Sequence, residues 1–150
     1  MKIQLETLPA TRIAYVRRAG PYGPGNSKAM EALKEWAQAH QLLTGSAILF
    51  GIPQDNPDTT LPEHCRYDAC ISVLENAPAD KSINYGEIPG GTYAVVTIQH
   101  TAEAVQKAWT EILPALYVSG HQLDNQRPVM ERYTGDMISN HLCQLCFPVH

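Results

Sequence analysis

The sequence predicts an α+β fold of two tandem β-α-β-β repeats, and three observations carry that prediction. Two amphipathic helical patterns each follow one strand-like run and precede two more. An offset of 80 residues aligns Ile13-Ala14 with Tyr93-Ala94 and Leu33 with Leu113, and the closing strands agree in pattern at an offset of 76. A Pro-, Gly- and polar-rich stretch, "LENAPADKSINYGEIPGG", separates the halves and reads as a connecting loop. At 150 residues and 44% hydrophobic, the chain is long enough to bury one core without disulfides or metal. One domain over 1–150 is expected, with repeats at about 1–75 and 88–150.

The first repeat opens with the strand "TRIAYVRRAG". In "NSKAMEALKEWAQAH", Ala29, Met30, Leu33, Trp36 and Ala37 recur at helical spacing, predicting a helix over 27–40 with Asn26 or Ser27 as its cap. The strands "SAILFGIP" and "RYDACISV" follow. In the second repeat the strand "GTYAVVTIQH" leads to a helix over 102–118, striped by Val105, Ala108, Trp109, Ile112 and Leu116, with Thr101 as cap and Gly120 as stop. Pro114 removes a backbone donor inside that helix and is expected to kink or divide it. "RPVMERYTG" and "LCQLCFPV" close the repeat. The sheet should be antiparallel or mixed, with both helices on one face.

Period-two alternation assigns faces. Tyr67, Ala69, Ile71 and Val73 form one apolar row, Leu145, Phe147 and Val149 another, and both should meet the helices. The opposite rows, Asp68, Cys70 and Ser72 with Gln144 and Cys146, are more polar and should face away from that core, on a side sheltered enough to form a cleft. Glu131 shares its side with Val129 and Tyr133, leaving Met130 on the other. A carboxylate there is most often solvated, and Trp36 and Trp109 on helical stripes are most often core.

Composition narrows the function classes. Eleven Lys and Arg against fifteen Asp and Glu give a net charge of −4, with no basic run beyond Arg17-Arg18, so direct nucleic-acid binding is not expected. No window approaches a membrane span and "MKIQLETLPA" lacks the apolar core of a signal peptide, pointing to a cytoplasmic protein. Cys65, Cys70, Cys143 and Cys146 suit a reducing compartment. In "CQLC" the two thiols, three apart on a strand, point to opposite faces and would not chelate one ion. No metal or cofactor is expected, since HExxH, GxSxG, P-loop and GxGxxG patterns are missing from the sequence.

Four stretches, "RIAYVRRAGPY", "GIPQDNPDTTLPEHCRYDACISV", "IPGGTYAVVTIQHT" and "SGHQLDNQRPVMERY", closed by "CFPV", resemble the GyrI-like small-molecule-binding proteins, which also supply effector-binding domains to AraC-type and MerR-type regulators. The resemblance covers nearly the whole chain. It implies a pseudo-twofold pair of β-α-β-β units and a ligand cleft between the repeats, a groove for hydrophobic, often aromatic and cationic compounds. It also implies that Glu131 lies at the base of that groove, where aromatic rings would add ~1–2 kcal/mol of cation-π attraction. The candidate ligand contacts are Glu131, Tyr133, Tyr15, Tyr93, Trp109, Asp68, Cys70 and Cys146. Relatives often carry Tyr where this chain has Cys146, which would leave a wider pocket. With no helix-turn-helix before residues 2–20, a standalone monomeric member is expected.

Three functions follow from the resemblance. The favoured one is sequestration or sensing of a small amphiphilic or aromatic toxin or drug. An alternative is hydrolysis of cyclopropane-bearing genotoxins, with Glu131 as the catalytic base and Tyr133 or Trp109 holding the substrate. The other alternative is a gyrase-inhibitor-like role, with DNA gyrase or another protein as partner.

Overall fold

The computed structural model describes residues 2–44, 46–74 and 81–150. Eight strands form one sheet: β1 (Ile3–Leu8), β2 (Thr11–Ala19), β3 (Leu49–Pro53), β4 (Arg66–Ser72), β5 (Asn84–Ile88), β6 (Gly91–Gln99), β7 (Met130–Tyr133) and β8 (Leu142–Pro148). Helix α1 (Asn26–Ala39) lies between β2 and β3, α2 (Ala102–Val118) between β6 and β7, and the short α3 (Gly135–Ser139) between β7 and β8. The spatial order is β1-β6-β8-β7-β3-β4-β2-β5, and every pairing is antiparallel. Read from the centre outward, β7-β8-β6-β1 mirrors β3-β4-β2-β5, which is the pseudo-twofold arrangement the repeat predicted.

The six strands and two long helices expected from periodicity are present, within three residues at nearly every end. Four elements among the described residues were not anticipated: β1, β5 inside the expected connecting loop, α3, and a single 3-10 turn at Pro62–His64. Residues 75–80 of that loop lie outside the described residues. The lead strands are exchanged, because β1 precedes β2 in the chain yet pairs with β6, while β5 precedes β6 yet also pairs with β2.

Both helices bury their stripes against the same sheet face. Ala29, Leu33 and Ala37 of α1 and Ala108, Ile112 and Leu116 of α2 join Tyr67, Ala69, Ile71, Leu145, Phe147 and Val149 in one cluster. Leu33 is fully enclosed, and its truncation to Ala would cost about 2–5 kcal/mol. Thr101 caps α2 by accepting the Ala104 N–H at 3.1 Å, and Gly120, at φ +83°, ends it while the His121 N–H reaches back to the Leu116 carbonyl.

Three local expectations are corrected. Neither Asn26 nor Ser27 caps α1: Asn26 accepts from Arg18, Ser27 donates to the Pro24 carbonyl, and the helix starts from Gly25, already in a helical conformation. Pro114 does not divide α2, which is helical from Ala102 to Val118, because the proline sits on the exposed side where water can serve the carbonyl it leaves free. The row containing Cys70 and Cys146 does face away from the helices, but it is no open side. Curling of the sheet brings Ile13, Phe50, Ile52, Cys70, Ile88, Tyr93, Val95, Met130 and Cys146 into a second buried cluster.

Candidate functional site

The register of the central strands places the site. Helix α1 packs on β2 and β4 and α2 on β6, so the helices straddle the β3–β7 pair at the middle of the sheet. On this helix-bearing face Glu131 of β7 lies opposite Gly51 of β3 on one side and Leu145 of β8 on the other. Two register pairs along, and so on the same face, Tyr133 lies opposite Leu49. A half-buried carboxylate thus sits on an otherwise apolar floor between two helices.

Tyr133 holds that carboxylate. Its hydroxyl donates to Glu131 Oε2, and its ring stacks at a tilt on His100, with centroids 4.9 Å apart. His100 Nε2 lies 3.3 Å from the same hydroxyl. Since the one phenolic proton is committed to Glu131, a hydrogen bond at this position requires His100 to carry its proton on Nε2. Burial, and then the neighbouring carboxylate, hold the Tyr133 hydroxyl far above the ordinary phenol range, so it remains a donor at any physiological pH. Burial first and Glu131 second also push the Cys143 thiol up to about 12.

Tyr67 completes the floor. Its buried ring leans from β4 across Gly51, so closely that a methyl group at position 51 would overlap the hydroxyl. Burial and then the Glu131 carboxylate keep this phenol protonated as well. Among the described residues, Glu131 has no Lys, Arg or His as an ion-pair partner. The Arg17–Asp68, Arg66–Asp55, Arg127–Asp124 and Arg132–Glu6 ion pairs all lie elsewhere.

Of the eight residues predicted as ligand contacts, the structure brings Glu131 and Tyr133 together and places Trp109 on the same face, where it packs edge-on against Phe147 of β8 at 5.3 Å. The other five are not brought to this site. Tyr93, Cys70 and Cys146 are buried in the opposite cluster, and Tyr15 packs against it beneath the Arg17 guanidinium. Asp68 is 3% exposed and bound by Arg17 through two bonds of 2.7 and 2.8 Å, with Gln54 adding a third at 3.0 Å. Those groups form a satisfied structural network, matched in the other half by Arg132 with Gln144 and Glu6. Cys143 and Cys146 of the "CQLC" run fall in different clusters, on opposite faces as their spacing requires.

Tyr67 and His100 are the functional candidates that sequence reasoning passed over. Tyr67 was legible as a helix-face residue, but its approach to Glu131 depends on the missing side chain of Gly51 on a strand distant in sequence. A groove of about 410 Å³ lies at the C-terminal end of α2, beside Leu113, Tyr117, His121, Leu123 and His150. No Asp or Glu side chain lines it. No helix of the described residues is long and apolar enough to cross a membrane.

A family model described as a GyrI-like small molecule binding domain matches residues 1–150. The SPbeta prophage-derived protein YosT of Bacillus subtilis (strain 168), whose name carries an inferred transcriptional-regulator role, is 42% identical over 150 residues, covering 99% of each chain. A DNA gyrase inhibitor of Edwardsiella piscicida is 28% identical over 141 residues, covering 91% of this chain and 88% of its own. Among solved structures, the EcmrR C-terminal domain superposes with a TM-score of 0.79 at 17% identity, covering 99% and 97% of the two chains. SAV2435 bound to tetraphenylphosphonium superposes at 0.62 and 18% identity, covering 100% and 94%.

Proposed function

Because the chain belongs to the GyrI-like small-molecule-binding family, we propose that the groove over Glu131 takes up hydrophobic aromatic cations, and that the protein sequesters or senses such compounds. One observation carries this reading: a half-buried carboxylate, held in place by Tyr133, has no protein cation to neutralise it among the described residues. A charge set on an apolar floor is costly unless paired, so a ligand cation entering the groove gains what the fold leaves unsatisfied. Tyr133 uses only Oε2, which leaves Oε1 for the ligand.

Calorimetry with tetraphenylphosphonium tests the reading. Wild type should bind in the micromolar range, and Glu131→Gln should weaken binding by ~1–3 kcal/mol while a neutral triaryl analogue is little affected. Equal losses for both compounds would mean that Glu131 does not read charge. Hydrolysis would use the same residue, with Oε1 accepting a proton from water. Single-turnover incubation with a cyclopropane-bearing aromatic compound, followed by mass spectrometry, separates the two. Substrate recovered unchanged favours binding alone, and turnover lost in Glu131→Gln with binding retained favours catalysis. A DNA gyrase partner is suggested by the names of relatives, and no feature of the described surface selects it.

A further inference from the structure

The Tyr67 hydroxyl has no hydrogen-bond partner among the described residues, although the side chain belongs to a residue only 6% exposed. No sealed-off side-chain nitrogen or oxygen among those residues lacks a partner, so this hydroxyl keeps some contact with solvent. Its position is built rather than incidental. The ring crosses the one floor position, Gly51, that has no side chain, and Gly51 is the register partner of Glu131. A protonated phenol that donates to nothing therefore lies beside a carboxylate that accepts from only one neighbour.

We propose that Tyr67 is a specificity-determining donor, and that the preferred ligands are aromatic ammonium compounds with a hydrogen-bond acceptor oxygen close to the charged nitrogen. The ammonium N–H meets Glu131 Oε1 while the oxygen accepts from Tyr67. Cations without such groups, tetraphenylphosphonium among them, use the carboxylate and the apolar walls only. This inference rests on the groove reading above and narrows it, since a buried donor left unmatched by the ligand is a cost that discriminates between otherwise similar compounds.

The test compares a naphthylethylamine bearing a β-methoxy oxygen with the parent naphthylethylamine and with tetraphenylphosphonium, on wild type and Tyr67→Phe. The variant removes only an unpartnered hydroxyl, and a thermal melt checks that its fold is retained. Wild type should prefer the methoxy amine, and Tyr67→Phe should weaken that compound alone by about three- to tenfold, erasing the preference. Wild type without a preference, or a variant that shifts both amines equally, overturns the role of Tyr67. Should tetraphenylphosphonium still lose affinity in Glu131→Gln in that case, the groove reading stands and only this inference falls. Failure of wild type to bind all three probes removes both.

Discussion

Glu131 stands between Met130, which joins the cluster behind the sheet, and an Arg-Tyr pair whose members point to opposite faces. Its carboxylate is held on the helix-bearing face by Tyr133, and Gly51 leaves room for a second tyrosine beside it. Gly51 is accordingly a sensitive position. A methyl group there overlaps the Tyr67 hydroxyl, and the ring is too enclosed to swing aside freely, so Gly51→Ala should cost ~1–3 kcal/mol by overpacking and weaken cation binding. Denaturant titration and calorimetry on one variant measure both. Unchanged stability would mean that the ring is free to move. Glu131 and Tyr133 were legible because alternation puts them on one side of a short strand and the family resemblance marks them. Tyr15, Tyr93, Asp68, Cys70 and Cys146 went to the other side because alternation reveals which residues share a face, not what covers it. A row of Asp, Cys and Ser looks like the lining of a cavity until Arg17 and Gln54 are seen to satisfy Asp68 and the curled sheet to bury the thiols.

At the scale of elements, local chemistry predicted the start of α2 better than that of α1. Thr101 accepts from Ala104 as its type and position suggest, whereas at α1 the polar candidates are diverted to Arg18 and Pro24 by a turn rich in glycine and proline. Thr101→Ala should therefore cost about 1 kcal/mol, measured by urea unfolding, while Ser27→Ala should cost much less because it removes no cap. A further consequence reaches the site. Thr101 follows His100, whose backbone N–H is fixed to the His141 carbonyl at 2.7 Å and whose ring abuts Tyr133. Strands β1 and β5 escaped prediction for a physical reason. They are the sheet edges, each paired on one side, with "IQLETL" mostly outside the core and "NYGEI" burying only Ile88. β5 has no apolar row, and in β1 the alternation is only Ile3 and Leu5, of which Leu5 is exposed. Helix α3 spans five residues, too few for a periodic stripe.

On the whole molecule, those same edge strands decide how the halves depend on each other. β1 gives six register pairs to β6 and β5 gives five to β2, so each half carries the outer strand of the other, while the direct β3–β7 seam has only three. The second cluster is shared too, drawing Ile13, Phe50 and Cys70 from one half and Tyr93, Met130 and Cys146 from the other. Tandem repeats often suggest two separable units, but here a fragment ending at residue 74 would retain β1 without its partner strand and would lack β5 and half of that cluster. A fragment starting at residue 81 would suffer the mirror-image loss. Neither can bury enough apolar surface to offset the entropy of ordering its chain. Each fragment alone should show no cooperative melt, while the two mixed at equal concentration should recover the circular dichroism of the intact chain and, with Glu131 and Tyr67 reunited across the seam, its binding of tetraphenylphosphonium. A cooperative melt from either fragment alone would show that the exchanged strands are dispensable. The two repeats would then be independent folding units, and the groove would form by docking them rather than by folding one sheet.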